Sequence, residues 1–259
     1  MKRNMRRCAA LLLALALCLA LGAPALAEGE NFSDEMKFDD GADISPDDGA
    51  DSVERAGDHE DSPYFRHPDF YNMTSTGSLT ILTNFKTMQQ SSEWSCGVAC
   101  VLMTLEWYGM RGDYDEESLA RLRPQGMEPV ATTMSQMVGL FDAVGGFQCY
   151  SAIDAGEDAE DIFTFDYIQQ TLAAGDPIII GWNDWGAHWQ IIIGYDDMGT
   201  ETTQDDVIIV ADPYDSTDHD QDGYGIYPAE RFLYNFTFYD YFDEGELNDM
   251  CFLAARPAD

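Results

Sequence analysis

Hydrophobic positions follow two patterns in succession along this chain. They first recur at helical spacing, which predicts helices at 96–108, 134–144 and 162–174. Short runs rich in Ile and Val, separated by turn residues, predict strands at 177–182, 188–195, 207–211 and 249–255, with an early strand at 79–83. Helices followed by a mainly antiparallel sheet predict one α+β domain.

The first part of the chain lacks both patterns. Residues 1–27 have a basic opening, an apolar run and an Ala25-Leu26-Ala27 ending, which is typical of a secretory signal peptide. A membrane anchor is the alternative, but the run is shorter than the ~20 residues that span a bilayer. Residues 28–75 are acidic and contain few residues able to enter a core, so they predict a disordered leader before a domain at 76–259.

Charge narrows the range of partners. The net charge is −35, and signal cleavage would make it −39 because 4 of the 13 basic residues and none of the 48 acidic ones leave. Such a chain is a poor partner for nucleic acid or an anionic membrane, so we expect neither, and no stable membrane insertion after cleavage. The acidity is explained by solubility of a secreted protein, although cationic substrates and divalent metals also fit.

Cys96 is the strongest candidate for chemistry. It opens a predicted helix, where exposed N–H groups and the helix dipole favour the thiolate, the nucleophilic form. Gly97 permits a tight turn and close approach of a substrate. Gln90 lies six positions upstream, so its side-chain amide is placed to stabilise an oxyanion together with the Cys96 backbone N–H. Cys100, one helical turn later, is expected to pack as a small apolar residue.

A nucleophilic cysteine needs a base, and the chain has four histidines. His59 and His67 fall in the acidic leader, and His219 lies in an aspartate-rich loop. His188 opens an apolar strand, which supplies the rigid platform that a base requires. We therefore predict His188 as the base, with a structural histidine as the alternative.

The base needs an acceptor that fixes its tautomer. Asp212 follows a predicted strand and precedes Pro213. Asp184, Asp196 and Asp197 are also near in sequence, and the residues alone leave this choice open.

These motifs together resemble the bacteriocin-processing peptidase family, a branch of the papain-like cysteine peptidases. The resemblance rests on Gln90 with Cys96-Gly97, on the strand from His188 that closes with Gly-Tyr-Asp, and on Asp212-Pro213. It implies a papain-like fold with N-terminal helices packed on the sheet, and it selects Asp212 as the orienting residue. Gln89 is a weaker match than Gln90 because its spacing is one residue too long.

The resemblance implies a secreted cysteine hydrolase that cleaves amides of peptide or protein substrates through a thioester. Family members fused to transporters cut after a double glycine, but this chain has no transporter portion, so the substrate stays open. Acyl or peptidyl transfer by the same residues is an alternative. A degenerate domain that only binds peptides is another, and retention of all four site residues argues against it.

A second candidate site lies in the loop after Asp212. Alternating Asp218, Asp220 and Asp222 before Gly223 are typical of a calcium loop. The twelfth position is Ala229 rather than Glu, so a solvated turn is the alternative. We expect no required cofactor, with calcium as the metal that this loop would take.

Overall fold

The computed structural model describes residues 68–184, 186–215 and 222–258. Helices predominate before residue 174 and strands after it. The helices are α1 Cys96–Trp107, α2 Glu116–Ala120, α3 Met134–Val144, α4 Ala152–Ala155, α5 Ala159–Ile162, α6 Phe165–Ala173 and α7 Ala229–Tyr234, with a 3₁₀ turn at Gly156–Asp158. The strands are β1 Leu79–Ile81, β2 Phe147–Ser151, β3 Ile178–Asn183, β4 Ala187–Asp196, β5 Val207–Ala211, β6 Tyr224–Pro228 and β7 Cys251–Pro257.

The strands form one seven-stranded sheet in the order β2-β7-β3-β4-β5-β6, and every pairing is antiparallel. The first half of β4 pairs with β3, and β1 continues that edge by pairing with the end of β4, from Leu79 opposite Asp196 to Ile81 opposite Gly194. The end of β3, the start of β4 and the end of β5 therefore lie at the same end of the sheet's strands.

Helix α1 is the central helix of the domain. Every residue from Cys96 to Leu105 is buried, and the helix packs against β4 of the sheet. Its residues form no polar face, and a helix that is apolar on all sides is stable only inside a core. The α+β class, with helices packed on a mainly antiparallel sheet in a papain-like arrangement, is confirmed.

Several elements differ from the predicted ones. The predicted helix at 162–174 corresponds to α6, which begins three residues later because Thr164 caps it by accepting from the Tyr167 N–H, and Ile162 ends the preceding helix α5. Strands β2 and β6 were not predicted. Residues 68–75, assigned above to the leader, contact the domain, since Phe70 is buried and packs 5.9 Å from the ring of Tyr224. The proposed signal peptide and most of the leader lie outside the described residues.

Candidate active site

Two strand ends bring His188 and Asp212 together. His188 is the second residue of β4, and Asp212 immediately follows β5, which is the neighbour of β4 in the sheet. The His188 Nε2 lies 2.6 Å from the Asp212 Oδ1, and both side chains are buried. The backbone N–H of Tyr214 also donates to that oxygen, at 2.8 Å, and holds the carboxylate toward the ring.

Charge on this pair is stabilised by protein groups rather than by water. Burial alone would lower the pKa of His188, but the charge and hydrogen bond of Asp212 outweigh it and raise the pKa above its ordinary value. Burial likewise opposes charge on Asp212, and the His188 charge and hydrogen bond bring the pKa of this carboxyl below its ordinary value. Hydrogen bonds from Tyr214 and Gln190 act in the same direction. The arrangement favours an imidazolium beside a carboxylate.

Cys96 contacts the same imidazole from the helical side of the site, which is the start of α1, whereas His188 and Asp212 form the sheet side. It is the first residue of α1, and its side chain shares a hydrogen bond with the His188 ring that also raises the pKa of His188. Because Nε2 faces Asp212, the nitrogen left for the sulfur is Nδ1. Ser95 precedes the helix without capping it by a side-chain hydrogen bond, so the first N–H groups of α1 remain available to an anion.

Gln90 is held at the entrance of the same helix. Its Nε2 donates to the carbonyl of Ser92 at 2.8 Å, and the Ser95 hydroxyl donates to that carbonyl at 3.0 Å. The Gln90 Oε1 is buried without a hydrogen-bond partner. The backbone N–H of Gln90 donates to the carbonyl of Pro213 at 2.7 Å, which ties the segment before Cys96 to the residue after Asp212.

The other three cysteines in the described residues are free thiols in a different environment. Burial, with additional repulsion from Cys96 and Asp212, holds the pKa of Cys100 well above its ordinary value. Burial also raises the pKa of Cys149 and that of Cys251, each to about 12. All three are therefore protonated and poorly nucleophilic at neutral pH.

A buried arginine supports the helical side, and sequence reasoning missed it. Arg123 donates to the carbonyls of Gly126, Glu128 and Val130 at 2.6 to 3.0 Å. Its guanidinium lies 4.2 Å from the ring centroid of Trp94, two residues before the cysteine of α1. Arg123 thereby fixes the loop after α2 against the start of α1. No pattern in the sequence distinguishes it from a surface arginine.

The sheet side contains a second set of residues that the sequence did not indicate. Gln190 Nε2 donates to the Asp212 Oδ2 at 2.8 Å, and Tyr227 lies behind it on β6. A buried Gln within the run of apolar residues in β4 is the one signal that reasoning from the sequence had available.

The other carboxylates that the sequence offered as partners of His188 have different hydrogen-bond partners. The competing carboxylates are bonded to other groups: Asp184 accepts from the Tyr227 hydroxyl, and Asp196 and Asp197 each accept from a backbone N–H two residues on. Five of the histidines and cation ligands considered above fall outside the described residues; they are His59, His67, Asp218, His219 and Asp220.

Asp222 is described, and its carboxylate caps its own turn. Its Oδ1 accepts from the Tyr224 N–H at 3.0 Å, while its backbone carbonyl accepts from the Thr87 hydroxyl at 2.6 Å. In the described parts of the chain, no group of three or more His, Cys, Asp and Glu side chains is arranged to hold a metal.

The site is closely packed, with Cys96 3% exposed and His188 4% exposed. A groove of about 630 Å³ lies at a different edge of the domain, lined in part by Tyr150, Tyr167 and Arg256, and it contains none of the site residues. Within 68–258, leaving aside 185 and 216–221, no helix has both the length and the hydropathy needed to cross a membrane.

Comparison with known proteins agrees with this geometry. No curated protein matches the chain. Residues 82–240 match the family model described as the Peptidase_C39 like family, and this match covers more than half of the chain and includes the cysteine, histidine and aspartate described above. The chain therefore belongs to the Peptidase_C39 like family of papain-like cysteine peptidases.

Proposed function

We propose that this protein is a cysteine peptidase or amide hydrolase whose catalytic residues are Cys96, His188 and Asp212. The observation that supports this most is the position of the His188 ring, which bonds Asp212 through Nε2 at 2.6 Å and shares its other side with the Cys96 sulfur. Family membership supports the same class of chemistry. The histidine is placed to take the thiol proton while the aspartate stabilises the imidazolium that forms.

Amide cleavage would proceed in two stages. The Cys96 thiolate attacks the substrate carbonyl carbon, and the resulting oxyanion accepts from the backbone N–H of Cys96 at the start of α1. His188 Nδ1 then donates its proton to the leaving amine as the C–N bond breaks, which leaves a thioester. Water, deprotonated by His188, attacks the thioester, and the carboxylic acid leaves as the thiol is restored.

Gln90 is proposed as a second oxyanion donor. Its Nε2 carries two hydrogens, and the bond to the Ser92 carbonyl uses one of them. A Gln90→Glu variant removes the donor at nearly constant shape. If the proposal is correct, this variant loses kcat with little change in KM, since the interaction forms in the transition state.

Labelling by an alkylating electrophile tests the proposed function directly. Wild-type protein treated with iodoacetamide at pH 7 should gain one carbamidomethyl group, at Cys96, because the other thiols in the described residues are protonated. Cys96→Ala should gain none, and Cys100→Ala should label like wild type. Equal labelling of wild type and Cys96→Ala, measured by intact mass, would refute the assignment of the nucleophile.

Two finer questions need a substrate. A library of peptides, including double-glycine sequences, incubated with and without added amines, separates hydrolysis from acyl or peptidyl transfer by product mass. Hydrolysis is the reaction we propose, because water completes the cycle without a bound acceptor. A protein that is labelled at Cys96 but releases no product from any peptide would favour the alternative, a domain that only binds peptides.

Export and calcium binding are further parts of the proposal. Residues 1–27 support export with cleavage, which predicts a protein in the medium whose N-terminus is Glu28. The aspartates at 218, 220 and 222 support a calcium site in the loop that follows Asp212. Calcium should then raise the unfolding temperature of wild type and leave that of Asp220→Asn unchanged, whereas an equal response of both proteins would refute the site.

A further inference from the structure

A buried amide, that of Gln190, contacts the Asp212 oxygen that does not face His188. Gln190 is two residues beyond His188 on β4, so the two side chains share one face of the sheet. Gln190 is fully buried, and its neighbours along the strand are Trp189 and Ile191. A buried amide is costly unless its polar atoms are paired, so the partners of Gln190 indicate what the residue does there.

All of its polar atoms have partners. The Nε2 donates to the Asp212 Oδ2 at 2.8 Å and to the Tyr227 hydroxyl at 3.1 Å. The Oε1 accepts from the indole Nε1 of Trp182 at 2.8 Å. Exchanging the amide nitrogen and oxygen would set two acceptors against each other at Asp212 and two donors at Trp182. The orientation of the amide is therefore fixed.

The Tyr227 hydroxyl is fixed as well. It donates to the Asp184 Oδ2 at 2.8 Å, so it must offer a lone pair, not a proton, to the Gln190 amide. The Tyr227 ring stands at 90° to the ring of Trp182, with centroids 5.2 Å apart. Strands β3, β4 and β6 each contribute one member of this network, which aims a single N–H at the catalytic carboxylate.

We propose that Gln190, held in orientation by Trp182 and Tyr227, is a positioning residue that locks the Asp212 carboxylate so that Oδ1 faces His188. This inference rests on the proposed function. Gln190 contacts neither sulfur nor substrate, and it acts through Asp212. The two Asp212 oxygens have different partners. The Oδ1 bonds the imidazole and accepts from the Tyr214 N–H, and the Oδ2 accepts from the Gln190 amide.

Removing the amide would leave Oδ2 buried and without that donor, which destabilises the anionic carboxylate. Without this donor the carboxylate is free to turn its Oδ1 out of line with the imidazole. A carboxylate turned in this way stabilises the imidazolium less, so the pKa of His188 should fall. The other titratable groups facing this pair, on α1, β6 and the end of β3, are unchanged by the substitution; they are Cys96, Cys100, Asp184 and Tyr227.

The test is an NMR titration of the histidine Cε1–H signals in wild type, Gln190→Met and Tyr227→Phe. The signal of His188 is identified by its absence in His188→Gln. Met keeps the length of Gln without its donors, and Gln148→Met, at an exposed Gln of β2, is the matched control. We expect the His188 midpoint to fall by about one to two pH units in Gln190→Met and by less in Tyr227→Phe. The control should leave it unchanged.

A His188 midpoint in Gln190→Met that is the same as in wild type, or higher, would overturn the inference, because it would mean that the carboxylate keeps its orientation without the amide. If Gln190→Met does not fold, Tyr227→Phe decides, because it keeps the ring packed against Trp182, and an unchanged midpoint there also overturns it. The titration needs no activity, so it separates the two proposals. Absence of Cys96 labelling in wild type contradicts the proposed function, whereas a shifted midpoint still supports the role of Gln190.

Discussion

The helical and sheet sides of the candidate site hold their reactive groups by different forces. On the helical side, close packing positions Cys96: a Cβ added at Gly97 would lie 2.8 Å from the Met137 Sδ and 3.2 Å from the Thr132 Cβ. On the sheet side, hydrogen bonds position His188, beginning with the 2.6 Å contact to Asp212.

The two sides therefore control different properties: the helical side controls position, and the sheet side controls protonation. Van der Waals repulsion is short-ranged and insensitive to pH, so a change on the helical side should act first on the position of Cys96. Hydrogen bonds to charged groups stabilise particular protonation states, so a change on the sheet side should alter pH dependence while geometry is kept. Substitutions of matched size on the two sides therefore test whether packing and hydrogen bonding act separately.

The largest effect is expected from Asp212→Asn. Asn has the shape of Asp but no charge, so it neither stabilises the imidazolium nor accepts through both oxygens. We expect kcat/KM, or the rate of Cys96 alkylation at pH 7, to fall by about a thousandfold. Asp196→Asn is the control, since its carboxylate caps a turn by accepting from the Met198 N–H. Equal losses in both variants would show that His188 is not oriented by Asp212.

Gly97→Ala tests the helical side, with a smaller effect. The added methyl must displace Met137, Thr132 or the start of α1, which should cost about 1–3 kcal/mol of unfolding free energy in urea titrations. Displacement of Cys96 should also slow its alkylation, by about tenfold. The pH dependence of alkylation should change less than in Asp212→Asn, because the contact of His188 with Asp212 is kept.

Gly139→Ala is the matched control for that substitution. Gly139 lies in α3, where an added Cβ meets nothing within 4 Å. The same change there should stabilise the protein by about 0.5–1 kcal/mol. A Gly97→Ala protein as stable and as reactive as wild type would mean that packing at this position is not what places the nucleophile.

The sequence predicted the helical side better than the sheet side, for a physical reason. Cys96, Gly97 and the apolar helix after them are consecutive, so local periodicity and one motif were enough to place Cys96 at the start of α1. The strand of His188 was equally clear from its run of Ile residues. Local sequence patterns therefore predict which residues begin or end a helix or strand.

Partners that come from separate strands were not predictable in this way. In the sequence, Gln190 is one polar residue in an apolar strand. Its hydrogen-bond partners are Trp182 on β3 and Tyr227 on β6, and strand β6 was not predicted. Arg123 was missed for the same reason, because its acceptors are carbonyls of a loop. For Gln90, spacing placed the residue near the start of α1 but could not show that its amide bonds to the Ser92 carbonyl.

The smallest effect is the contribution of the sheet side to stability, and its sign follows from the two pKa shifts. The pKa of His188 is raised from its ordinary value of 6.5, so its stabilisation is complete below pH 6.5 and is lost as pH rises through the folded-state pKa. The pKa of Asp212 is lowered from 3.8, so its stabilisation is present above pH 3.8 and is lost as pH falls through its folded-state pKa. The pair therefore stabilises the fold most between these two pH values.

Unfolding temperatures of wild type and Asp212→Asn, measured from pH 4 to pH 10, test this sign. The difference between the two proteins should be largest near pH 5 and shrink at alkaline pH, by about 2–4 °C for each 1 kcal/mol lost. Repulsion among the many acidic residues changes with pH in both proteins alike, so it cancels in the difference. A gap that instead widens above pH 8 would mean that His188 is neutral in the folded protein, and the contrast between a sterically held nucleophile and an electrostatically held base would fail on the sheet side.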